Sequence, residues 1–274
     1  MGTGTPKTPK IKPYGTDPVL DKIFDTALKA GDTDVILVAL DLNYGWDKLL
    51  TARSKLIRMA LAQRGYGLET LISDTELEVI IEVARQGYGL ETLINSRHWE
   101  LRQAVAEQGY GLDKLVSDSD EDVRAAVARQ GFGLDTLIND GNSKVRLAVA
   151  QQGYGLDTLI NDRDSAVRAE VAKQGYGLDR LLNDSSCQVR AEVARQGFGL
   201  NQLINDDDPE IRLIVAEQGF GLDTLKEDSD KWVRFAALCH GANADQYLKS
   251  DNDYFRILSN VIKQKHDKDD RAFL

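Results

Sequence analysis

Histidines and cysteines are the first side chains to consider for catalysis or metal binding, and this sequence has few of them. The histidines His98, His240 and His266 occupy unrelated positions, and Cys187 and Cys239 show neither metal-ligand nor redox spacing. The sequence contains no HExxH zinc motif, no GxSxG nucleophile motif and no phosphate-binding glycine loop. We therefore predict a protein that is not an enzyme and that holds no cofactor and no metal ion.

Arginine and aspartate recur every 22 residues, so their side chains could form a continuous array of charge. The arginines are Arg58, Arg102, Arg124, Arg146, Arg168, Arg190, Arg212, Arg234 and Arg256, interrupted by Ile80. The aspartates are Asp74, Asp118, Asp140, Asp162, Asp184, Asp206 and Asp228, with Ser96 and Ser250 in register. Each aspartate can bond a helix N-terminus and the arginine of its own or the next repeat. We predict a structural ladder that includes Asp118, Arg124, Asp140, Arg146, Asp162 and Arg168, and consider a row of cations that tracks an anionic polymer the weaker interpretation.

The 22-residue period is clearest in a glycine-aromatic-glycine triplet. Triplets begin at Gly65, Gly87, Gly109, Gly131, Gly153, Gly175, Gly197 and Gly219, and degenerate copies begin at Asn43 and Gly241. This gives about ten repeats, and such a period is typical of an array of stacked units.

Apolar residues within one repeat follow helical spacings of three and four. In the repeat that begins at Asp118 they are Val123, Ala126, Val127, Leu134, Leu137 and Ile138. We predict a helix from an Asp118 N-cap to Gln130, with Gly131 in the left-handed conformation that ends helices. A second, very short helix is expected over residues 133–139. Helices this short are marginal alone, so neighbouring repeats must cover one another, which predicts an all-α solenoid.

The D-x4-V-R stretch of each repeat resembles the second helix of HEAT repeats, and the short unit looks most like the variant leucine-rich repeat family. The resemblance covers residues 43 to about 262. It implies a right-handed superhelix of long helices and 3₁₀-like short helices. A true leucine-rich repeat is excluded because its strand needs L-x-L, whereas these leucines stand as L-x-x-L. The known relative in that family carries a cysteine-ligated iron–sulfur domain, and this chain lacks those cysteines.

The ends of the chain depart from the repeat. We predict a helix over residues 16–31, with Thr16 or Asp17 as its cap, Pro18 in its first turn and Gly31 as its stop. The next segment is expected to cover the first face of the array. The predicted regions are a flexible basic leader over 1–14, N-terminal capping helices over 15–42, repeats over 43–240, a C-terminal capping unit over 241–262 and a polar tail over 263–274.

The charge balance limits the kinds of partner. The net charge is −10, and because Lys7, Lys10 and Lys12 are the only charges in the leader, the remaining residues hold −13. Direct binding to nucleic acid is disfavoured, since it needs clustered cations. No apolar run is long enough to span a membrane, and the leader lacks the apolar stretch of a signal peptide. We expect a cytoplasmic protein whose partner has a basic or mixed surface.

Positions that vary between repeats are the natural place for binding specificity. Most follow the aspartate row closely, and a second variable row lies one turn into the helix. The candidate partner-binding residues are Arg97, His98, Trp99, Asp120, Asp122, Lys144 and Trp232 from the first set and Glu82, Glu170 and Glu192 from the second. Trp99 and Trp232 are candidate anchors, because tryptophan is common at binding hot spots. Filling an irregular part of the stack is the alternative for both.

These features predict a protein-binding solenoid, an adaptor or inhibitor of bacterial or phage origin. The alternative is an acidic mimic of nucleic acid that occupies the site of a DNA- or RNA-binding protein. Two further rows have structural explanations. The aromatic row, three of whose eight members lack a hydroxyl, is expected to pack between repeats, with base stacking as a minor alternative. The glutamine row before the triplets is expected to cap helices or to bond neighbouring repeats.

Overall fold

The computed structural model of this chain describes residues 15 and 17–241. The predicted leader, the C-terminal capping unit beyond Gly241 and the polar tail lie outside these residues. Contacts divide the chain between Leu137 and Ile138 into two compact units, and each is described by itself. All secondary-structure elements assigned in the described residues are α-helices. None of these helices is long and apolar enough to cross a membrane.

The repeats consist of one long helix of nine residues and one short helix of four. The long helices are α4 (Lys55–Gln63), α6 (Leu77–Arg85), α8 (Trp99–Glu107), α10 (Glu121–Arg129), α12 (Ser143–Gln151), α14 (Ser165–Lys173), α16 (Cys187–Arg195), α18 (Pro209–Glu217) and α20 (Lys231–Cys239). The short helices are α3 (Trp46–Leu49), α5 (Leu68–Leu71), α7 (Leu90–Leu93), α9 (Leu112–Leu115), α11 (Leu134–Leu137), α13 (Leu156–Leu159), α15 (Leu178–Leu181), α17 (Leu200–Leu203) and α19 (Leu222–Leu225). Within each unit successive repeats stack in sequence order, which confirms the predicted all-α array.

The short helix is a single α-helical turn with 3₁₀-type bonds at its two ends. In α5 the amides of Leu71 and Ile72 bond to carbonyls four residues back, at 2.9 and 3.0 Å. The tighter three-residue bond, such as that from Thr70 to Gly67 at 3.0 Å, occurs at the start of the turn. Gly67, in the left-handed conformation at the N-cap, sets the direction in which this turn begins.

The long helix begins two residues later than the sequence predicted. The N-cap of α10 is Asp120, whose carboxylate accepts a hydrogen bond from the amide of Asp122 at 2.9 Å. Asp118 precedes the helix and accepts a bond from the amide of Asp120 at 2.9 Å, which forms a local turn. The aspartate row therefore shapes the turn before the helix. In α10 the helix itself is capped by Asp120, two residues later.

The long helices end in a Schellman motif, as the first glycine of the triplet predicts. At the end of α8, Gly109 has φ of 72° and its amide bonds to the carbonyl of Ala106 at 2.8 Å. The amide of Tyr110 reaches back to Val105 at 3.3 Å. In this motif the residue after the glycine makes an apolar contact with the last turn of the helix, which suits an aromatic side chain.

The core of each unit lies between the long and short helices. Val123, Val127 and Ala128 of α10 are fully buried, and Leu137 of α11 closes the core from the short-helix side. Isolated turns of this length could not bury these residues, so the stack carries the stability.

Neighbouring long helices within a unit run parallel and in register. Near their starts, Arg102 of α8 bonds Asp118 just before α10, and at their ends the Gln130 amide donates to the carbonyl of Glu107 at 3.0 Å. Gln196 makes the same bond to Lys173 at 3.2 Å. Helix starts therefore align along one side, called here the N-terminal edge, and helix ends align along the opposite side, the C-terminal edge. A nine-residue helix separates the two edges by about 14 Å.

Two helices precede the repeats, α1 (Pro18–Ala30) and α2 (Thr33–Asp41). As predicted, Asp17 caps α1 by accepting from the amides of Val19 and Leu20, and Gly31 ends it in the left-handed conformation. These helices bury Phe24, Ile36 and Leu40.

The outer surface of these two helices carries several exposed apolar side chains. Ile23, Val38 and Leu42 are each more than half exposed, and Val19 is 68 % exposed. A capping element that closes an array against water normally presents a polar outer face. The expectation that this segment covers the first face of the array therefore holds only for its inner side.

Candidate protein-interaction site

Within each unit the arginine row joins most repeats to the next. Arg168 donates from Nε and Nη2 to the two carboxylate oxygens of Asp184, at 2.7 and 2.8 Å, and from Nη1 to the backbone carbonyl of Asp162 at 2.7 Å. These side chains are only 14 % and 10 % exposed. The same side-chain pairing joins Arg58 to Asp74, Arg102 to Asp118, Arg146 to Asp162, Arg190 to Asp206 and Arg212 to Asp228. The arginine thus binds the carboxylate of the following repeat and the carbonyl of its own.

The interruption of the arginine row is matched by an interruption of the aspartate row. Ile80 stands where α6 would carry an arginine, and Ser96 stands where that arginine would find its aspartate. The Ser96 hydroxyl still accepts a bond from the amide of His98 at 3.2 Å, so the turn before α8 is retained. Loss of the cation together with its partner anion indicates that this row serves pairing and is not a surface for anions.

The carboxyl groups paired with arginine have lowered pKa values. Burial acts to raise the pKa of Asp118, but hydrogen bonds from the Arg102 guanidinium and the Asp120 amide, together with the charge of Arg102, outweigh it. The pKa therefore lies below the ordinary value. The same direction holds for Asp74, Asp162, Asp184, Asp206 and Asp228.

Acid is therefore expected to unfold the array. A carboxyl whose pKa is lower in the folded state contributes stability at pH values above its unfolded pKa of about 3.9 and loses it as the pH falls below that value. Six such groups act together, so the thermal unfolding midpoint should be steady from pH 7 to about 5 and should fall steeply below about pH 4. Circular dichroism melts at 0.5 pH intervals measure this. A midpoint that stays constant down to pH 2.5 would contradict the ladder.

The predicted anchors lie on the N-terminal edge. Trp99 is the first residue of α8 and is 37 % exposed, and Trp232 lies in the first turn of α20 and is 54 % exposed. The Trp232 ring meets Phe235 edge to face at 6.2 Å, and Lys231 Nζ lies 5.3 Å from its centroid. Both indoles therefore leave a large part of their surface accessible, although they also contact their own repeats.

The other candidates near the helix starts share this edge. Arg97 and Lys144 are exposed, and His98 is half-buried, with Nε2 accepting from Arg97 Nε at 3.2 Å. Asp120 and Asp122 are half-buried in the first turn of α10, where Asp120 acts as the cap. The structure places each of these residues on the N-terminal edge of its own unit. Their role in binding stays a prediction.

The second variable row does not belong to this surface. Glu82 and Glu170 are buried, at 8 % and 9 % exposure, and Glu192 is half-buried. Each bonds a base three residues later in its own helix, namely Arg85 at 2.7 Å, Lys173 at 3.5 Å and Arg195 at 2.6 Å. Variation in the sequence therefore does not identify a surface position here. The basic residue three positions after each glutamate is the feature of the sequence that could have indicated an ion pair within the helix.

The aromatic row is more exposed than packing between repeats predicts. Seven rings have between 39 % and 43 % of their surface accessible, namely Tyr88, Tyr110, Phe132, Tyr154, Tyr176, Phe198 and Phe220. Tyr66 differs, because its ring packs edge to face on Trp46 at 5.2 Å. Burial and a hydrogen bond to Asp47 raise the pKa of Tyr66 to about 12.

Neither a metal site nor a known family accounts for the chain. In the described part of the chain, no three His, Cys, Asp or Glu side chains are placed to hold a metal ion. Cys187 and Cys239 are both exposed, and neither forms a disulfide bond. No family model matches the sequence, and comparison with curated proteins finds no match.

Proposed function

We propose that this chain is a non-enzymatic protein-binding repeat protein, an adaptor or inhibitor, that contacts its partner with the N-terminal edge of its long helices. One observation carries the proposal. The recurrent residues build the stack, as the Arg168–Asp184 pair and buried Val123 show, whereas most of the variable residues lie on one accessible edge. An array whose exposed variable positions lie mostly along one edge is suited to recognising a specific surface.

The composition of this edge favours a protein partner with a basic or mixed surface. Trp99 and Trp232 offer large apolar rings of the kind found at the centres of interfaces. Arg97 and Glu100 lie beside Trp99 in the sequence, and Asp230 and Lys231 lie beside Trp232, so charges of both signs flank each anchor. Such a surface matches neither a nucleic acid nor a membrane.

We also infer that the chain is a divergent member of the HEAT-like and variant leucine-rich repeat arrays, with a right-handed superhelix and a cytoplasmic location. Support comes from the helical 22-residue repeat and from the arginine and aspartate placed six residues apart, as at Asp118 and Arg124. The short helix in this chain is a single α-turn with 3₁₀-type bonds at its two ends. Bacterial or phage origin belongs to the same proposal.

An acidic mimic of nucleic acid remains the second candidate. Its support is the exposed carboxylate that follows most short-helix leucines, at Glu91, Asp113, Asp135, Asp157, Asp179 and Asp223. Against it, the carboxylates of the ladder are largely buried and bonded to arginine, so they cannot represent phosphates. Half of the recurrent acids are therefore unavailable, which favours the first candidate.

Alanine at the anchors should separate binding from folding. With a partner recovered by affinity capture from the native host, Trp99→Ala and Trp232→Ala are each expected to weaken the complex at least tenfold, about 1.4 kcal/mol or more. Because both indoles are substantially exposed, the free energy of unfolding should change by less than about 1 kcal/mol. Calorimetric titration and urea unfolding measure the two effects, and Thr92→Ala, exposed on a short helix, is the matched control.

A salt titration then distinguishes the two candidates. A contact anchored by tryptophan should lose less than tenfold in affinity between 50 and about 300 mM salt, whereas a nucleic-acid mimic should weaken steeply and compete with duplex DNA. Unchanged affinity in both tryptophan variants would refute the proposed anchors. DNA competition together with a steep salt dependence would support the mimic in their place.

A further inference from the structure

The exposed aromatic rings form a second repeated surface, on the edge opposite the tryptophans. Each ring belongs to the residue just after the helix-ending glycine, so it lies on the C-terminal edge. The first unit carries Tyr88, Tyr110 and Phe132, and the second carries Tyr154, Tyr176, Phe198 and Phe220. Exposure differs by only a few percent among them, which makes the rings a regular feature of both units.

Packing alone does not explain why these rings remain accessible. The apolar contact of a Schellman motif can be made by any aliphatic side chain, yet all eight triplets use tyrosine or phenylalanine. The chain can also bury such a ring, because Trp46 covers Tyr66 in the following repeat. Regular repeats carry leucine at the position of Trp46, for example Leu68 before Tyr88, and leave the ring open.

The hydroxyl is not the shared property of the row. Phe132 and Tyr110 occupy equivalent positions with exposures of 40 % and 42 %. What every member presents to solvent is part of an aromatic ring, whose face carries partial negative charge and attracts cations.

Carboxylates accompany the rings. The third residue after a ring is an exposed acid in six of the seven repeats, as at Glu91, Asp113 and Asp157. The hydroxyl of Tyr66 donates to the carboxylate of Asp47, which shows that a ring also reaches the acid of the preceding repeat. A cation over a ring would therefore find carboxylates on both sides of it.

Basic residues on this edge are mostly neutralised. Arg85, Lys173 and Arg195 precede their rings by three residues, and each is bonded to a glutamate of its own helix. Arg129 is the remaining base at this position, where Glu107 and Glu217 add two further exposed acids. The surface around the rings is thus acidic and suits a cationic occupant.

We propose that this aromatic and acidic stripe binds an extended polypeptide segment with lysine or arginine at every third residue. Packed parallel helices lie about 8–10 Å apart, and an extended chain in the polyproline II conformation advances about 3.1 Å per residue with three residues per turn. Successive rings within a unit therefore meet every third side chain of the segment. Each cation covers a ring and pairs with the adjacent carboxylates. Nucleic acid is the disfavoured occupant, because its phosphates would face these carboxylates.

The test uses a fluorescein-labelled twelve-residue peptide of four Arg-Pro-Ala triplets. The comparison peptide has the same composition with its four arginines contiguous. Fluorescence anisotropy with the full chain should show at least tenfold tighter binding of the spaced peptide. Changing the exposed aromatic residues of both units together to alanine should abolish this preference, namely Tyr88, Tyr110, Phe132, Tyr154, Tyr176, Phe198 and Phe220, whereas changing the four tyrosines among them to phenylalanine should preserve it.

Two further variants separate a loss of binding from a loss of folding and measure the contribution of the carboxylates to peptide affinity. Glu91→Gln and Asp113→Asn, combined with Asp157→Asn and Asp179→Asn, alter only exposed carboxylates in both units and should weaken binding of the spaced peptide at least fivefold, with the unfolding midpoint unchanged. Trp99→Ala should leave peptide affinity unchanged, so failure of the tryptophan surface and failure of the stripe are separable. Equal affinity for the two peptides would overturn the proposal, as would tighter binding of a twelve-nucleotide oligothymidylate than of the spaced peptide.

Discussion

Replacing Arg168 by isoleucine is expected to lower the free energy of unfolding by about 3 kcal/mol. The change leaves the carboxylate of Asp184, which is 10 % exposed, without its two guanidinium bonds, and it removes a bond to the carbonyl of Asp162. A largely buried ion that loses its partner retains its desolvation cost, and this is the main source of the effect. Urea unfolding followed by circular dichroism measures it.

The chain itself supplies the compensated version of this change. Ile80 and Ser96 are the natural counterparts of Arg168 and Asp184, and the Ser96 hydroxyl still bonds the following turn. The double change Arg168→Ile with Asp184→Ser should therefore be less damaging than the sum of the single changes, with a coupling energy of about 1–3 kcal/mol. Additive costs would show that the two side chains do not stabilise each other.

The second large effect is expected at the second glycine of a triplet. Gly175 and Gly177 both have positive φ, 75° and 59°, but only Gly177 is crowded. A β-carbon there would lie 2.2 Å from Cδ1 of Ile160 in the preceding repeat, whereas nothing lies within 4 Å at Gly175. Gly175→Ala should cost about 1–2 kcal/mol for its conformation alone, and Gly177→Ala should cost about 3–4 kcal/mol because overpacking is added.

A second substitution tests the origin of this difference. Ile160→Val removes the one methyl group that a β-carbon at Gly177 would strike. Combined with Gly177→Ala it should recover about 1 kcal/mol or more, although Ile160→Val alone is destabilising by a similar amount. Equal unfolding midpoints for Gly175→Ala and Gly177→Ala would show that close approach of the repeats is not what requires the second glycine.

Much of the fold could be predicted because the same short motif recurs in many repeats of the sequence. Eight triplets located the helix ends, and the left-handed Gly131 is where they predicted it. The start of the long helix was misplaced because Asp118 and Asp120 are both good caps, and only the contact with Arg102 shows that the first belongs to the ladder. The partner of each arginine was likewise left open, since spacing alone allows pairing within or between repeats.

The candidate surfaces were harder to predict, because variation and exposure are different properties. The repeat position of Glu170 varies in residue type and yet Glu170 is buried. The position of Tyr176 is aromatic in all eight triplets and yet Tyr176 is exposed. Recurrence of the ring was interpreted as a packing requirement, and nothing local to the triplet shows how much of the ring the preceding leucine leaves uncovered. Only the three-dimensional register of neighbouring repeats contains that information.

Hydrogen–deuterium exchange of the free chain and of its complex with the captured partner tests the central functional claim most directly. We expect slower exchange on binding at the starts of the long helices, in segments 97–102 and 229–234, with little change in the short helices over 112–116 and 178–182. Protection confined to the short helices, or to the residues around the aromatic rings, would contradict binding through the N-terminal edge.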